Sequence, residues 1–289
     1  MTYSTDKAGP FGHFAFAPLR ERIRRIGDLA GTGFAGRRIG SLARRIVIAG
    51  QAEPFDVEAA GGLRLRVRPS TNRCEKRAVS GLQTWDVVER AALKRHLKAH
   101  SGDGPFVFMD VGANVGLYSI DLALAARRLG QDTRLIAVEP DPQNAARLLE
   151  NVSFNDVDIE LHRVAIGEFA GRGVMTGGET NRGQVHFQPQ NGAEAGAAQD
   201  AYETTEMISL AELANRAAVA RVDALKVDIE GYDLPVLRGF FNEAPSELLP
   251  AIIIAELSDQ RVETLALMEQ AGYRQQVMAG INGIFERNA

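Results

Sequence analysis

Three short stretches carry side chains whose types and spacing suit ligand binding or catalysis. The first is Phe108-Met109-Asp110-Val111-Gly112-Ala113-Asn114-Val115-Gly116, an apolar β-prone run that meets an acid, a glycine and, four residues later, a second glycine. Gly112 admits turn dihedrals closed to other residues, and Gly116 lets a helix begin close to whatever sits on the strand ends. Open α/β sheets bind ligands outside the carboxyl ends of their strands. The dinucleotide pattern, with glycines two and then three apart, is missing. An acid at the strand end suits a cationic amine or sulfonium better than a diphosphate. The second stretch, Val138-Glu139-Pro140-Asp141, puts Glu139 at the tip of another apolar run. A carboxylate there accepts hydrogen bonds from both hydroxyls of a ribose. The third, Lys226-Val227-Asp228-Ile229-Glu230, alternates so that Lys226, Asp228 and Glu230 share one side of a strand. Three charges in a strand buried on both faces need partners or a task. Lys226 reads either as the structural partner of a carboxylate or as a site residue, and Asp228, at the carboxyl end, as a site residue. Glu256, closing Ile252-Ile253-Ile254-Ala255, is a weaker candidate of the same kind.

The elements that position these residues follow from periodicity. Strands are expected at Leu63 to Val67, Phe106 to Val111, Leu135 to Val138, Ile159 to Ile166, Leu225 to Ile229, Ala251 to Leu257 and Gly280 to Arg287. Helical patterns lie between them: Trp85 to His100, Leu117 to Leu129 ahead of Gly130, a helix capped by Asp141 and Pro142, a short one from Leu234 that Gly239 stops, and Val262 to Ala271. Ser209 with Glu212 reads as a capping box. Strand–helix alternation of this kind means a parallel sheet covered on both faces. Residues 171–205 are rich in Gly, Ala, Gln and Asn and read as one long loop, either a lid over substrate or a tolerated insertion.

Residues 1–61 read as a separate, basic, partly helical arm, and 62–289 as the main domain. Between Pro18 and Ile48 eight arginines stand against Glu21 and Asp28, a net charge of +6 in a chain whose total is −4. Leu19, Ile23, Ile26 and Leu29 recur there at helical spacing, while Gly27, Gly31, Gly33, Gly36 and Gly40 weaken any long helix. Such an arm packs on its own domain or a second subunit, or meets an anionic surface. The overall acidity argues against a general nucleic-acid binder, and no apolar run approaches the roughly 20 residues of a membrane span. A single cysteine, Cys74, excludes an intramolecular disulfide framework and multi-cysteine zinc sites. His96 and His100 read as a helix face rather than a metal pair. The expectation is a cytoplasmic protein.

Taken together, Asp110 to Ser119, Val138 to Asn151 and Leu225 to Gly239 resemble the FkbM-type family of S-adenosylmethionine-dependent methyltransferases, from about Gly62 to Phe285. The resemblance implies the class I methyltransferase fold, an α/β seven-stranded sheet of order 3-2-1-4-5-7-6 with one antiparallel strand. It implies S-adenosylmethionine as cofactor and methyl transfer to a hydroxyl of a sugar, glycan or other secondary metabolite. Asp110, Gly112, Asn114 and Gly116 would line the methionine part of the cofactor, and Glu139 its ribose. Asp141 and Asn144 would stand near the adenosine, with Ala165 in the strand beside the adenine. Asp228, with Glu230 second, is the candidate general base. A divalent metal is possible chemistry here, but no residue spacing points to one. The chain departs from the family pattern at Ser209-Leu210-Ala211, where an acid is common, and at Leu257-Ser258. Two rival readings follow: a cofactor-keeping binding module without turnover, and a nicotinamide-dependent oxidoreductase, which the missing glycine pattern opposes.

Overall fold

A computed structural model describes residues 9–80, 82–177, 185–189, 204–229, 231–257 and 260–288. Two helices come first, α1 (Pro18–Leu29) and α2 (Phe34–Ile48), then a hairpin of β1 (Phe55–Ala59) and β2 (Leu63–Val67). The hairpin crosses the arm–domain boundary expected near residue 61. Next come α3 (Arg73–Ala78), α4 (Val87–Ala99), β3 (Phe106–Val111), α5 (Leu117–Leu129), β4 (Thr133–Val138), α6 (Pro142–Asn155) and β5 (Glu160–His162). After β6 (Ala165–Ile166), β7 (Gly171–Gly177), β8 (Val185–Pro189) and β9 (Thr204–Ile208), the alternation resumes with α7 (Leu210–Arg216), β10 (Ala224–Val227), α8 (Asp233–Glu243), β11 (Ile252–Glu256), α9 (Arg261–Gln270), β12 (Tyr273–Ala279) and β13 (Asn282–Arg287).

The main sheet has the order β12-β13-β11-β10-β3-β4-β5. Numbered by appearance within the sheet, this is the expected 3-2-1-4-5-7-6 read from its far edge. β13 runs antiparallel to both neighbours, and the remaining pairs are parallel. The chain has the class I methyltransferase fold.

Both faces of the sheet are covered, so its central strands are apolar throughout. Along β3, Phe106 and Phe108 join the core built with α4 to α6, while Val107, Met109 and Val111 join the core built with α7 to α9. Each such large side chain contributes about 1.5–3 kcal/mol on burial. Asp110 interrupts this pattern on the α5 side, fully buried.

Several expectations need correction. Residues 171–205 are not one loop: β7, β8 and β9 join β6 in a four-stranded sheet of order β6-β9-β7-β8. Residues 178–184 and 190–203, also part of that expected loop, lie outside the described residues. The single strand expected from Ile159 to Ile166 is two, because pairing passes from β4 at His162 to β9 at Ala165. Gly239 does not stop α8. A Cβ there would come 2.6 Å from the carbonyl oxygen of Glu168, so the glycine serves close packing within the helix. Gly36 and Gly40 likewise lie inside α2, where they face α1 and its connection. β1, α3 and β12 have too short or too polar a pattern to have been read.

Candidate active site

The carboxyl ends of β3, β4, β10 and β11 open into one cavity of about 760 Å³, whose lining includes Val111, Val138, Asp228 and Glu256. Its far walls come from α3, the start of α4 and the turn Ala279–Asn282 between β12 and β13. The volume lies within the roughly 300–1,000 Å³ typical of small-molecule sites.

The glycine turn is built against its neighbours. Gly112 and Ala113 both donate backbone N–H bonds to the Val138 carbonyl, at 3.0 and 2.9 Å. Gly112 has φ +77°, and a Cβ there would meet the Asp228 carbonyl oxygen at 2.0 Å. The backbone after β10, rather than a ligand, therefore demands this glycine. Asn114 is left-handed at φ +52°, a conformation asparagine tolerates better than most residues. Its side-chain oxygen accepts a 2.7 Å bond from Asn72 Nδ2, and its backbone N–H donates to Glu139 Oε2 at 2.7 Å. Asn72 in turn caps α3 through the N–H groups of Cys74 and Glu75. The turn and the α3 wall are thus one hydrogen-bonded unit.

Glu139 lies at the tip of β4, buried, lining the cavity. Its other oxygen accepts the Asp141 N–H at 3.0 Å. Burial pushes its carboxyl up to about 7; the nearby Asp141 charge adds to this, against the hydrogen bonds from Asp141, Asn114 and Asn144. An ionised carboxylate has about four acceptor sites, so these three donors leave capacity for a ligand.

Across the cavity sits a compact charge cluster. Lys226 and Asp110 are register partners in the parallel pairing of β10 with β3. Lys226 Nζ lies 3.6 Å from Asp110 Oδ1 and 3.3 Å from Asp228 Oδ2, donates to the Gly112 carbonyl at 3.2 Å, and stands 5.2 Å from the centre of the Tyr118 ring. Burial alone would lower the ammonium's affinity for its proton, but Asp228 and Asp110 outweigh it and hold the pKa above the ordinary lysine value. Asp110 Oδ2 accepts the Ser119 hydroxyl at 2.7 Å. Tyr118 donates its hydroxyl to Asp86 Oδ2 at 3.0 Å and packs edge-on against Trp85. Burial, with help from the Asp228 charge, raises the Asp86 carboxyl against the Tyr118 bond. Asp233, behind the cavity, accepts the N–H groups of Ile229 and Glu256; burial and the Asp228 and Glu256 charges push it up to about 7.

Of the residues expected at the site, Gly112, Asn114, Glu139, Asn144, Ala165 and Asp228 line the cavity together. Asp110 is fully buried beneath it, held by Ser119 and Lys226. Gly116 is the left-handed residue opening α5, close against Leu148. Asp141 accepts the Gln143 and Asn144 N–H groups as the cap of α6. Glu230 lies outside the described residues. The sequence reading missed the opposite wall: Arg73, Cys74, Arg77, Trp85, Asp86 and Tyr118. Tyr118 was within reach, since it falls two residues after Gly116 on the helix that must face the turn. The α3 wall carries no such signal. Burial, with the Asp228 and Asp86 charges, pushes the Cys74 thiol up to about 12, so it is not a reactive thiolate.

Known proteins resemble the chain. Over 143 residues it is 27% identical to the hexuronic acid methyltransferase AglP of Haloferax volcanii, an alignment spanning 48% of this chain and 52% of that one. It is also 27% identical over 192 residues to Methyltransferase 1 of Beauveria bassiana, covering 59% of this chain and 73% of that one. The chain thus spans about half the length of the first of these relatives and nearly three quarters of the second. A SAM-dependent methyltransferase from Agrobacterium tumefaciens superposes with a TM-score of 0.46 at 10% identity, covering 83% of this chain and 72% of that chain. The family model described as the methyltransferase FkbM domain matches residues 110–275. With that match spanning over half of its length, from the buried acid of β3 into β12, the chain belongs to the FkbM methyltransferase family.

Proposed function

We propose that the protein is an S-adenosylmethionine-dependent O-methyltransferase whose acceptor is a hydroxyl of a sugar, glycan or secondary metabolite. The observation that carries this reading is Glu139, a buried carboxylate at the tip of β4 with acceptor capacity facing the cavity. Bound there, S-adenosylmethionine supplies a methyl group on a positively charged sulfur. The residues present fit such a group. Glu139 would take a ribose hydroxyl, Asn114 and Asn144 flank it, and Ala165 would offer an apolar surface to the adenine. Among the described residues, five carboxylates of the lining, Asp86, Glu89, Glu139, Asp228 and Glu256, outnumber its three cations, Arg73, Arg77 and Lys226, which suits a cationic ligand.

Asp228 supports the chemical step. It is the half-exposed carboxylate of the cluster, and Lys226 fixes it at the cavity floor. With the cofactor bound, Asp228 would take the proton of the acceptor hydroxyl while that oxygen displaces the methyl carbon from sulfur and the neutral thioether leaves. The effect of Asp228 rests mainly on position. Glu230 is the second candidate for the role. Among the described residues no group of three His, Cys, Asp or Glu side chains could hold a metal ion. The name of the Haloferax volcanii relative supports a sugar acceptor.

The test is methyl transfer to a panel of uronic acids, glycans and hydroxylated metabolites. Asp228→Asn should lower kcat roughly a hundredfold, the lower end of general-base contributions, while the affinity for S-adenosylhomocysteine stays within about twofold. A wild-type rate would clear Asp228. Cofactor binding with no transfer to any acceptor would favour a binding module instead.

A further inference from the structure

The helical hairpin of α1 and α2 shows an inverted distribution of side chains. The two helices meet through small residues, with Val47 turned to the core: a Cβ on Gly27 would meet Ala43 Cβ at 3.1 Å, and one on Gly36 would meet the Ala30 carbonyl oxygen at 2.0 Å. Large apolar residues face outward instead. On α1 these are Leu19, Ile26 and Leu29, and on α2 Phe34, Ile39, Leu42 and Ile46. The most exposed cluster marks the tip, with Leu29 at 86%, Phe34 at 68% and Leu19 further back at 70%. Arg22, Arg25, Arg37, Arg38 and Arg45 are exposed among them.

This surface is preformed rather than loose. Arg20 Nη1 ties α1 to the end of α2 through the Val47 carbonyl at 2.7 Å. Arg24, buried, donates to the Glu58 carbonyl at 2.8 Å, and Gln83 Nε2 donates to the Gly27 carbonyl at 2.5 Å. The hairpin's two acids are already engaged: Glu21 by Arg24 and Arg25, Asp28 by Arg24. The outward face therefore offers apolar side chains and guanidinium groups with no free carboxylate among them.

We propose that this hairpin docks the protein on the surface of an anionic lipid bilayer, with its outward apolar side chains in the headgroup region and its arginines on lipid phosphates. Charge complementarity selects this occupant. A two-fold contact with a second copy would set arginine against arginine, whereas an anionic bilayer answers both the charge and the apolar surface. At 12 and 15 residues the helices lie on a bilayer, and no helix among the described residues is long and apolar enough to cross one. The inference does not depend on the methyl-transfer reading.

The experiment is co-sedimentation of the full chain with vesicles of equal parts phosphatidylcholine and phosphatidylglycerol, against vesicles of phosphatidylcholine alone. The chain should bind the anionic vesicles at least tenfold more tightly, and added salt should weaken binding. Ile39→Ser/Leu42→Ser/Ile46→Ser and, separately, Arg38→Glu/Arg45→Glu should each cut binding at least tenfold, with helical content unchanged by circular dichroism. All five side chains are exposed, so these variants fold. Failure of the wild type to sediment with anionic vesicles would overturn the proposal. So would a vesicle-free dimer that the serine variant dissociates, which would make the face an interface between copies.

Discussion

At Glu139, burial and ionisation pull against each other. The folded protein holds this proton more tightly than the unfolded chain, since the carboxyl rises from its ordinary 4.5 to about 7. Burying the charge therefore costs stability above pH about 7, and that cost fades as the pH falls toward the ordinary carboxylate range. A ribose hydroxyl would donate to the ionised form. Affinity for S-adenosylhomocysteine should accordingly fall as the pH drops from 8 to 6, about tenfold per pH unit once the group is mostly protonated. Glu139→Gln should bind weakly with a flat pH profile, as titration calorimetry at three pH values would show; an equally steep profile in the variant would place the titrating group elsewhere. This acid was legible because an apolar strand places it at its tip. Asp110 was legible as a strand-end acid but not as a buried one. Register with Lys226 and the reach of Ser119 from α5 turn it inward, and single-strand periodicity carries neither fact.

The glycine turn depends on an element remote in sequence. Asn151 of α6 accepts the Arg66 backbone N–H at 2.9 Å and donates to the Val115 carbonyl at 3.1 Å, joining the β1–β2 hairpin to the turn. Asn155 repeats the contact one helical turn later, on both backbone groups of Arg64. Arg66 is buried in a two-bond contact with Asp56, at 2.7 and 3.0 Å, and reaches Glu150 at 2.9 Å. Removing one partner of a buried pair leaves an uncompensated charge, typically at 3–5 kcal/mol. Asp56→Ala should thus lose about 3 kcal/mol in urea unfolding, while a loss below about 1 kcal/mol would show that Glu150 suffices. Gly112→Ala should be worse for the site than for any ligand contact, because the new Cβ must displace the Asp228 carbonyl. The expected result is a loss of both thermal stability and cofactor binding. None of this hairpin's role shows in the sequence: β2 reads as a strand with arginines, and nothing local tells which arginine is buried.

The whole molecule sets an N-terminal layer against a parallel sheet. Strand–helix alternation was enough for a covered parallel sheet, and strand-end residues for one side of the cavity, whereas the strand order followed only from the family resemblance. The opposite wall, from Arg73 to Tyr118, is assembled by tertiary packing of α3 and α4, whose short or even patterns announce no site. The same limit applies to residues 171–205, where the short strands β7 and β8 stand in a stretch rich in Gly, Ala, Gln and Asn that hides them from a reading by periodicity. All the functional assignments share one premise, that the cavity over β3 and β4 holds an adenosyl sulfonium or its demethylated product. Titration calorimetry of the full chain with S-adenosylhomocysteine tests it most directly. Saturable one-to-one binding, weakened at least tenfold by Glu139→Ala, is the predicted result. No binding heat at several temperatures, from protein whose cooperative melt shows it folded, would contradict it.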